Sequence, residues 1–324
     1  MRIRTAALTS LVLLALLSRP VAARPFGSRP VGGAGSLLSS GITRTYWLHL
    51  PPKEKRPAKM PLVLVLHGGG GTGRGNVRLS GGTFDKLGDR DGFAVVYPDG
   101  IEKGWNDGRK DLNQAATLRN LDDVRFLCDL VDKLAAESGV DPANVFSCGI
   151  SNGGFMSFRL AHDVPQRVRA IAPVAACLGL ELSKLPPPAA PVPLLVILGT
   201  EDPLVPYGGG RVGFVRKNRG TCLSAAETVK YWTQVNGCSG KPARDFLPDR
   251  DPQDGTKAVR AVYGGCKAGT EVVLVSVQGG GHTWPGGWQY LPERMIGKTC
   301  RDFDAAVVIW DFFKRHLSSA SGSR

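Results

Sequence analysis

Residues 149–153 read Gly-Ile-Ser-Asn-Gly, a G-x-S-x-G sequence that decides the expected fold. An apolar run at 145–148 precedes this pentapeptide, and a helix-forming run at 155–161 follows it. In this context the serine is expected on a sharp turn between a strand and a helix, with its hydroxyl exposed at the end of a sheet. Glycine on both sides permits such a turn, because a side chain there would collide with neighbouring backbone. Ser151 is therefore the candidate nucleophile.

Apolar runs of strand length alternate with helical patterns along the rest of the chain. Strands are predicted at 43–50, 62–66, 94–97, 145–148, 170–174, 194–198 and 272–277. Helices are predicted at 121–138, 224–235 and 302–317, where apolar residues recur at helical spacing. This alternation is typical of an α/β fold with a mostly parallel sheet and helices on both faces. Apolar and polar residues alternate in the first strand, which predicts an edge position.

A nucleophilic serine needs a base, and the chain has five histidines. His282 follows the predicted strand 272–277 in a glycine-rich loop, and active-site residues collect in such loops. The other four lie in the first strand, before a glycine run, on the helix after the serine and in the last helix: His49, His67, His162 and His316. Those positions do not suit a partner of Ser151, so His282 is the candidate base.

The base in turn needs an orienting acid, which should follow a strand between the serine and the histidine. Predicted strand 194–198 is followed by Gly-Thr-Glu-Asp-Pro, so Glu201 or Asp202 can serve. We prefer Asp202, because a loop that starts with Asp-Pro has a rigid backbone. The resulting order of serine, aspartate and histidine is the order of the α/β-hydrolase fold. The short chain between Ser151 and Asp202 leaves little room for a large lid, so an open cleft is expected.

The developing oxyanion needs fixed N–H donors. The backbone of Asn152, directly after the nucleophile, offers one. The glycine run 68–71 after the strand at 62–66 offers another, with Gly69 or Gly70 as candidates. The alternative for this run is a phosphate-binding loop, but the terminal Gly-Lys-Ser/Thr of such loops is missing.

The chain of 324 residues carries a formal net charge of +13. Residues 1–23 combine Arg2 and Arg4, a short apolar core and small residues, as a cleaved signal peptide does, so the protein is predicted to be secreted. The alternative is an uncleaved anchor. Residues 24–40 are predicted as a flexible leader, 41–318 as one catalytic domain and 319–324 as a disordered tail. No later stretch is apolar enough for a membrane span.

The excess of basic residues is scattered apart from one short run. That run comprises Arg211, Arg216, Lys217 and Arg219. Because no nucleic-acid motif is visible, we predict no nucleic-acid partner. The run is either a solvated loop or, as a hypothesis, a surface that favours acidic polysaccharides.

Seven cysteines in an exported chain suggest disulfides. Cys238 and Cys266 flank a polar stretch and are paired in our prediction, and a second pair of Cys222 with Cys300 is a guess. Three further cysteines lie in apolar segments and are predicted to be buried: Cys128, Cys148 and Cys177.

Six motifs resemble a known family, the secreted poly(3-hydroxybutyrate) depolymerases and feruloyl esterases related to carbohydrate esterase family one. They are LVLVLHGGGG at 62–71, Trp-Asn at 105–106, Asp-Asp-Val at 122–124, GISNGG at 149–154, GTEDPLVPY at 199–207 and GGGHTWPG at 279–286. The resemblance implies Ser151, Asp202 and His282 as the triad and the pair Cys238–Cys266 as a disulfide.

The sequence thus predicts a serine carboxylic-ester hydrolase that works through an acyl-enzyme without metal or organic cofactor. Feruloyl- or acetyl-type esters of plant polysaccharide, or hydroxyalkanoate esters, are the expected substrates, possibly in polymeric form. Trp105, Trp284 and Trp288 are candidates for stacking on an acyl group or a sugar, or alternatively only pack the loops. A peptidase of the same fold and a non-catalytic cell-surface binding protein are the alternative functions.

Overall fold

The computed structural model describes residues 31–214 and 219–318. The predicted signal peptide and tail, and two members of the basic run, lie outside these residues. Within them, no helix combines the length and the apolar character that crossing a membrane requires.

A ten-stranded sheet forms the centre of the fold. Its strands, numbered in chain order together with a small ribbon, are β1 (Val31–Ser39), β2 (Ile42–Leu50), β3 (Met60–Leu66), β4 (Ala94–Pro98), β5 (Val140–Ile150), β6 (Ala170–Val174), β7 (Leu194–Gly199), β8 (Gly210–Arg211), β9 (Thr221–Cys222), β10 (Ala243–Phe246), β11 (Lys257–Tyr263) and β12 (Val272–Gln278). The order across the sheet is β1-β2-β4-β3-β5-β6-β7-β12-β11-β10, and β8 pairs with β9 separately. The strands from β4 to β12 in that order are parallel, and both flanks are antiparallel. The predicted α/β-hydrolase fold is confirmed.

Helices cover both faces of the sheet. They are α1 (Gly73–Leu79), α2 (Thr83–Asp91), α3 (Ala115–Leu118), α4 (Asp123–Ser138), α5 (Asn152–Asp163), α6 (Leu180–Ser183), α7 (Ala225–Val235), α8 (Glu293–Ile296) and α9 (Ala305–Lys314). Helices α4, α5 and α7 bury their apolar residues in one core, and α2 and α9 bury theirs in the other. Ser224 and Glu227 form the capping box that begins α7, with reciprocal bonds of 3.1 and 2.8 Å.

The structure corrects the predicted leader over residues 31–39. These residues form β1, which pairs with β2 along its whole length. Ser40 and Gly41 connect the strands with φ angles of 49° and 74°, as a two-residue type I′ turn requires. The sequence did not predict this strand, because its glycines lower the strand propensity of the segment. The strand forms because β2 supplies its hydrogen-bond partners. The edge position predicted for residues 43–50 is therefore wrong, since β1 covers that edge.

One of the two predicted disulfides is present. Cys238 and Cys266 are bonded, as expected. The pairing of Cys222 with Cys300 is wrong, because Cys222 lies in the core beside α7 and Cys300 in the core on the opposite face of the sheet. Among the described residues the remaining cysteines form no disulfide. Cys148 and Cys177 are buried as predicted, but the prediction is wrong for Cys128, which is only partly buried beside the core.

Candidate active site

Ser151 occupies the turn between β5 and α5. Its φ and ψ angles are 54° and −120°, a conformation that a residue with a side chain adopts only under constraint. The Ser151 amide donates to the carbonyl of Val174 on β6, at 2.9 Å. A Cβ at Gly153 would lie 2.2 Å from the carbonyl oxygen of Leu66, so only glycine permits this close approach to β3. The glycine of the motif therefore allows the turn that presents the Ser151 hydroxyl.

Asp202 and His282 form a buried pair at the carboxyl ends of β7 and β12. Nδ1 of His282 lies 2.7 Å from Oδ2 of Asp202. The other carboxylate oxygen, Oδ1, accepts the amides of Leu204 and Val205 at 2.7 and 2.8 Å. The carboxylate is therefore fixed, and it holds the proton of the imidazole on Nδ1, which leaves Nε2 as an acceptor. Glu201, the alternative acid, is exposed.

Ser151 and His282 line the same cavity. Three of the other histidines pair with carboxylates elsewhere: His49 with Asp89, His162 with Asp163 and His316 with Glu271. The structure thus brings His282 to the candidate nucleophile and places those three away from it. It also selects Asp202 over Glu201.

Only one of the two candidate glycines retains a free amide. The Gly70 amide donates to the carbonyl of Lys103 at 2.7 Å, so it is not available as an oxyanion donor. Among the described residues, no hydrogen bond engages the Gly69 amide. A Cβ at Gly69 would lie 3.8 Å from Cβ of Asn152, which begins α5. Gly69 and Asn152 therefore remain as the candidate donors. The prediction that Gly70 could be an oxyanion donor is wrong.

His67 lines the cavity, and both of its ring nitrogens form hydrogen bonds that hold the glycine loop in place. Its Nε2 accepts the Gly100 amide at 2.9 Å, so the ring proton is on Nδ1, which donates to the Gly68 carbonyl at 2.8 Å. Burial lowers the pKa of His67, so the neutral ring is favoured. The sequence analysis gave His67 no role; it is a positioning residue for the loop that contains Gly69.

The lowered pKa of His67 predicts a loss of stability on acidification. As the pH falls below about 6.5, His67 becomes protonated in the unfolded chain but stays neutral in the native state. Because the unfolded state then binds more protons, the free energy of unfolding decreases. His67→Gln should remove this part of the pH dependence, measured from urea unfolding midpoints between about pH 8 and pH 5. An imidazole resonance of His67 that titrates near its ordinary value would contradict the expectation.

A buried polar network holds the first turn of α5. Nδ2 of Asn152 donates to Oδ2 of Asp107 at 2.6 Å, and the Trp105 amide donates to Oδ1 of Asn152 at 2.8 Å. Asp107 also pairs with the buried guanidinium of Arg109 at 2.6 Å, which lies over the ring of Phe155. The sequence analysis did not identify Asp107 or Arg109. The only sequence feature near them is the Trp-Asn motif at 105–106. That motif does not predict a contact between Asp107 and Asn152.

Comparisons with known proteins agree with this fold. A family model described as the alpha/beta hydrolase fold matches residues 61–191. A relative from Nocardia uniformis subsp. tsuyamanensis, which bears the name "Putative esterase NocK", is 33% identical over 289 residues, covering 86% of this chain and 81% of that protein. The chain belongs to the feruloyl esterase and poly(3-hydroxybutyrate) depolymerase family of α/β-hydrolases.

Two further relatives represent the two activities in the family name. Feruloyl esterase D of Neurospora crassa is 28% identical over 85% of this chain and 83% of its own length. The poly(3-hydroxybutyrate) depolymerase of Ralstonia pickettii is 26% identical over 86% of this chain, which spans only 58% of that protein. The chain is accordingly a carboxylic ester hydrolase.

The three tryptophans proposed to line the cleft of this esterase differ in position. Trp105 is fully buried and its Nε1 donates to the carbonyl of His67 at 2.9 Å. Trp284 is 1% exposed and packs edge-on against Phe84. Trp288 is 51% exposed and lines the cavity. The substrate-binding prediction is therefore wrong for Trp105 and Trp284, which pack the loops, and only Trp288 can contact a ligand in the cavity.

The cavity of this esterase has a volume of about 450 Å³ and joins apolar and polar walls. The glycine loop, Ser151 and His282 form its polar side, while Phe214, Trp288 and Leu291 contribute exposed apolar surface. A smaller cavity of about 60 Å³, lined by Gln114, Asn152 and Arg219 among others, also reaches Ser151. The nucleophile is thus accessible to an ester with substituents on both sides of its carbonyl.

Proposed function

We propose that this esterase is a secreted serine hydrolase that cleaves carboxylic esters through an acyl-enzyme. Its substrates are feruloyl- or acetyl-type esters of plant polysaccharide, or hydroxyalkanoate esters. The observation that carries the proposal is the buried pair of Asp202 and His282, 2.7 Å apart, beside a serine held in a strained turn on the same cavity.

The reaction follows from the roles of these groups. Nε2 of His282 takes the proton of the Ser151 hydroxyl while Oγ attacks the ester carbonyl. The amides of Asn152 and Gly69 stabilise the oxyanion. The tetrahedral intermediate expels the alcohol, which receives the proton from His282, and leaves an acyl group on Oγ. His282 then deprotonates a water molecule, which attacks the acyl carbonyl, and Ser151 regains its proton as the acid departs.

Two observations support secretion. The first residues have the charge and apolar pattern of a signal peptide. The disulfide between Cys238 and Cys266 is of a kind that persists in oxidising compartments.

The proposed substrate classes fit the exposed aromatic rim of the cavity. Trp288 and Phe214 are both about half exposed, and either an aromatic acyl group or short aliphatic units can pack on such surface. Relatives named for feruloyl esterase and for poly(3-hydroxybutyrate) depolymerase activity leave both classes in the proposal.

The test compares methyl ferulate with a soluble 3-hydroxybutyrate trimer, using the mature protein purified from its secretion medium. We expect measurable kcat/KM on at least one of these esters and a preference of about tenfold or more between them. Hydrolysis of peptides without hydrolysis of either ester would favour the peptidase alternative and overturn the proposal.

A further inference from the structure

The hairpin of β8 and β9 forms one wall of the active-site cleft. Backbone hydrogen bonds from Arg219 to Val212 and from Val212 to Gly220 extend its pairing beyond the two strands, at 3.1 and 2.9 Å. A Cβ at Gly220 would lie 2.5 Å from the carbonyl oxygen of Arg109, so the hairpin rests closely on the buried network beneath it. The backbone of Arg219 is therefore held in place next to the cleft.

The guanidinium of Arg219 lies over the candidate oxyanion donor. A Cβ at Gly69 would be 3.4 Å from Nη1 of Arg219 and 2.8 Å from Nε2 of Gln114. Arg219 also lines both cavities that reach Ser151. A cation and an amide group thus lie beside Gly69, next to one of the two candidate oxyanion donors.

In the part of the chain that the structure describes, no acidic side chain neutralises this cation. Among the described residues, no carboxylate forms an ion pair with Arg219, and neither cavity has an aspartate or glutamate in its lining. The segments outside the described residues contain no aspartate or glutamate in their sequence. Arg109, the other arginine at the smaller cavity, is already paired with Asp107. Arg219 therefore has its charge available for a ligand.

We propose that Arg219 and Gln114 form a carboxylate-binding subsite that selects esters carrying a free carboxylate within a few bonds of the scissile carbonyl. The inference rests on the proposed ester hydrolysis at Ser151. A guanidinium binds a carboxylate through two parallel hydrogen bonds, and such charged bonds are stronger than neutral ones. The short distance between Arg219 and Gly69 limits the separation of the carboxylate and the reacting carbonyl.

The test uses pairs of esters in which one carboxyl group is either free or esterified. In each pair the product of the shared ester bond is quantified, with a factor of two allowed for the two equivalent bonds of diethyl succinate. The 3-hydroxybutyrate dimer, whose carboxylate lies on the alcohol half of the internal ester, is compared with its methyl ester. Monoethyl succinate, whose carboxylate lies on the acyl half, is compared with diethyl succinate. For wild-type protein we expect kcat/KM to favour the anionic member of at least one pair by about tenfold or more, the scale of a charge-assisted hydrogen bond. Added NaCl should reduce this preference by screening the attraction.

Arg219→Gln is expected to reduce that preference by about tenfold or more, mainly through a higher KM for the anionic ester. Arg219→Lys should restore part of it, because the charge returns without the two-pronged geometry. Arg211→Gln is the matched control, since Arg211 lies on the same hairpin, is exposed and lines neither cavity. It should leave the preference unchanged.

Binding to the Ser151→Ala variant, measured by calorimetry, separates this inference from the proposed function. The anionic ester should bind more tightly than its neutral counterpart, and the added change Arg219→Gln should abolish the difference. Equal binding of the charged and neutral esters, or an equal loss of activity on both in Arg219→Gln, would overturn the subsite. Undiminished hydrolysis by Ser151→Ala would instead refute the proposed nucleophile while leaving the binding test intact.

Discussion

Ser151→Ala is expected to reduce kcat for ester hydrolysis by about 10⁴-fold or more, because the proposed acyl-enzyme forms on the Ser151 hydroxyl. Alanine retains Cβ, so the strained turn at φ 54° changes little, and the fold should be preserved. The residual rate would come from binding and from the oxyanion donors alone. The measurement is kcat on the better of the two ester classes, with circular dichroism as a check of folding.

A matched control for this variant is Ser183→Ala on α6, because the Ser183 hydroxyl donates to the Leu180 carbonyl and lines neither cavity. It should retain wild-type activity. A serine-directed organophosphate should inactivate the wild-type protein and label the peptide that contains Ser151. A label on a different serine, or a rate within tenfold of wild type in Ser151→Ala, would refute the proposed nucleophile.

Asp202→Asn is expected to lower kcat by about 10⁴-fold at neutral pH. Oδ1 of Asp202 already accepts two backbone amides, so an asparagine would place its oxygen there and direct its NH₂ group at Nδ1 of His282. Nδ1 must then accept a hydrogen bond, and the imidazole proton moves to Nε2. With its Nε2 protonated, His282 can no longer take the proton of Ser151.

The neighbouring Glu201→Gln provides the control, because the Glu201 side chain is exposed. The hydrogen bond from Glu201 to the Gly280 carbonyl comes from the backbone amide, which the substitution keeps. This variant should stay within about twofold of wild type. Nitrogen NMR of the His282 ring should report the exchanged tautomer in Asp202→Asn. A large loss in Glu201→Gln together with near wild-type activity in Asp202→Asn would reverse the assignment of the acid.

Local patterns in the sequence were sufficient for the fold and for the residues of the candidate triad. Strand-length apolar runs and the spacing of apolar residues in α4, α7 and α9 describe single elements, and each is defined by residues close together in the chain. The turn at Ser151 is likewise a local feature, marked by its glycines. Because parallel strands end on the same edge of a sheet, residues that follow β5, β7 and β12 were expected to meet there.

Local patterns failed where the outcome depends on which distant segments pack together. The glycine-rich residues 31–39 form a strand because β2 is available to pair with them. Trp105 and Trp284 are buried by loops from other parts of the chain, and no feature of their own neighbours in sequence distinguishes them from the exposed Trp288.

Tertiary structure alone also decided the fine chemistry of the cleft. Gly69 and Gly70 are equivalent in sequence, yet Lys103 engages only the Gly70 amide. Arg219 looks like one member of a basic run, yet the hairpin places its guanidinium over Gly69, in cavities whose linings contain no aspartate or glutamate. The sequence by itself determined the α/β-hydrolase fold and the identities of Ser151, Asp202 and His282 as candidates, because short patterns encode elements and their order. Only the tertiary structure decided which amides, aromatic rings and charges face the substrate, because hydrogen bonding and burial depend on residues that are distant along the chain.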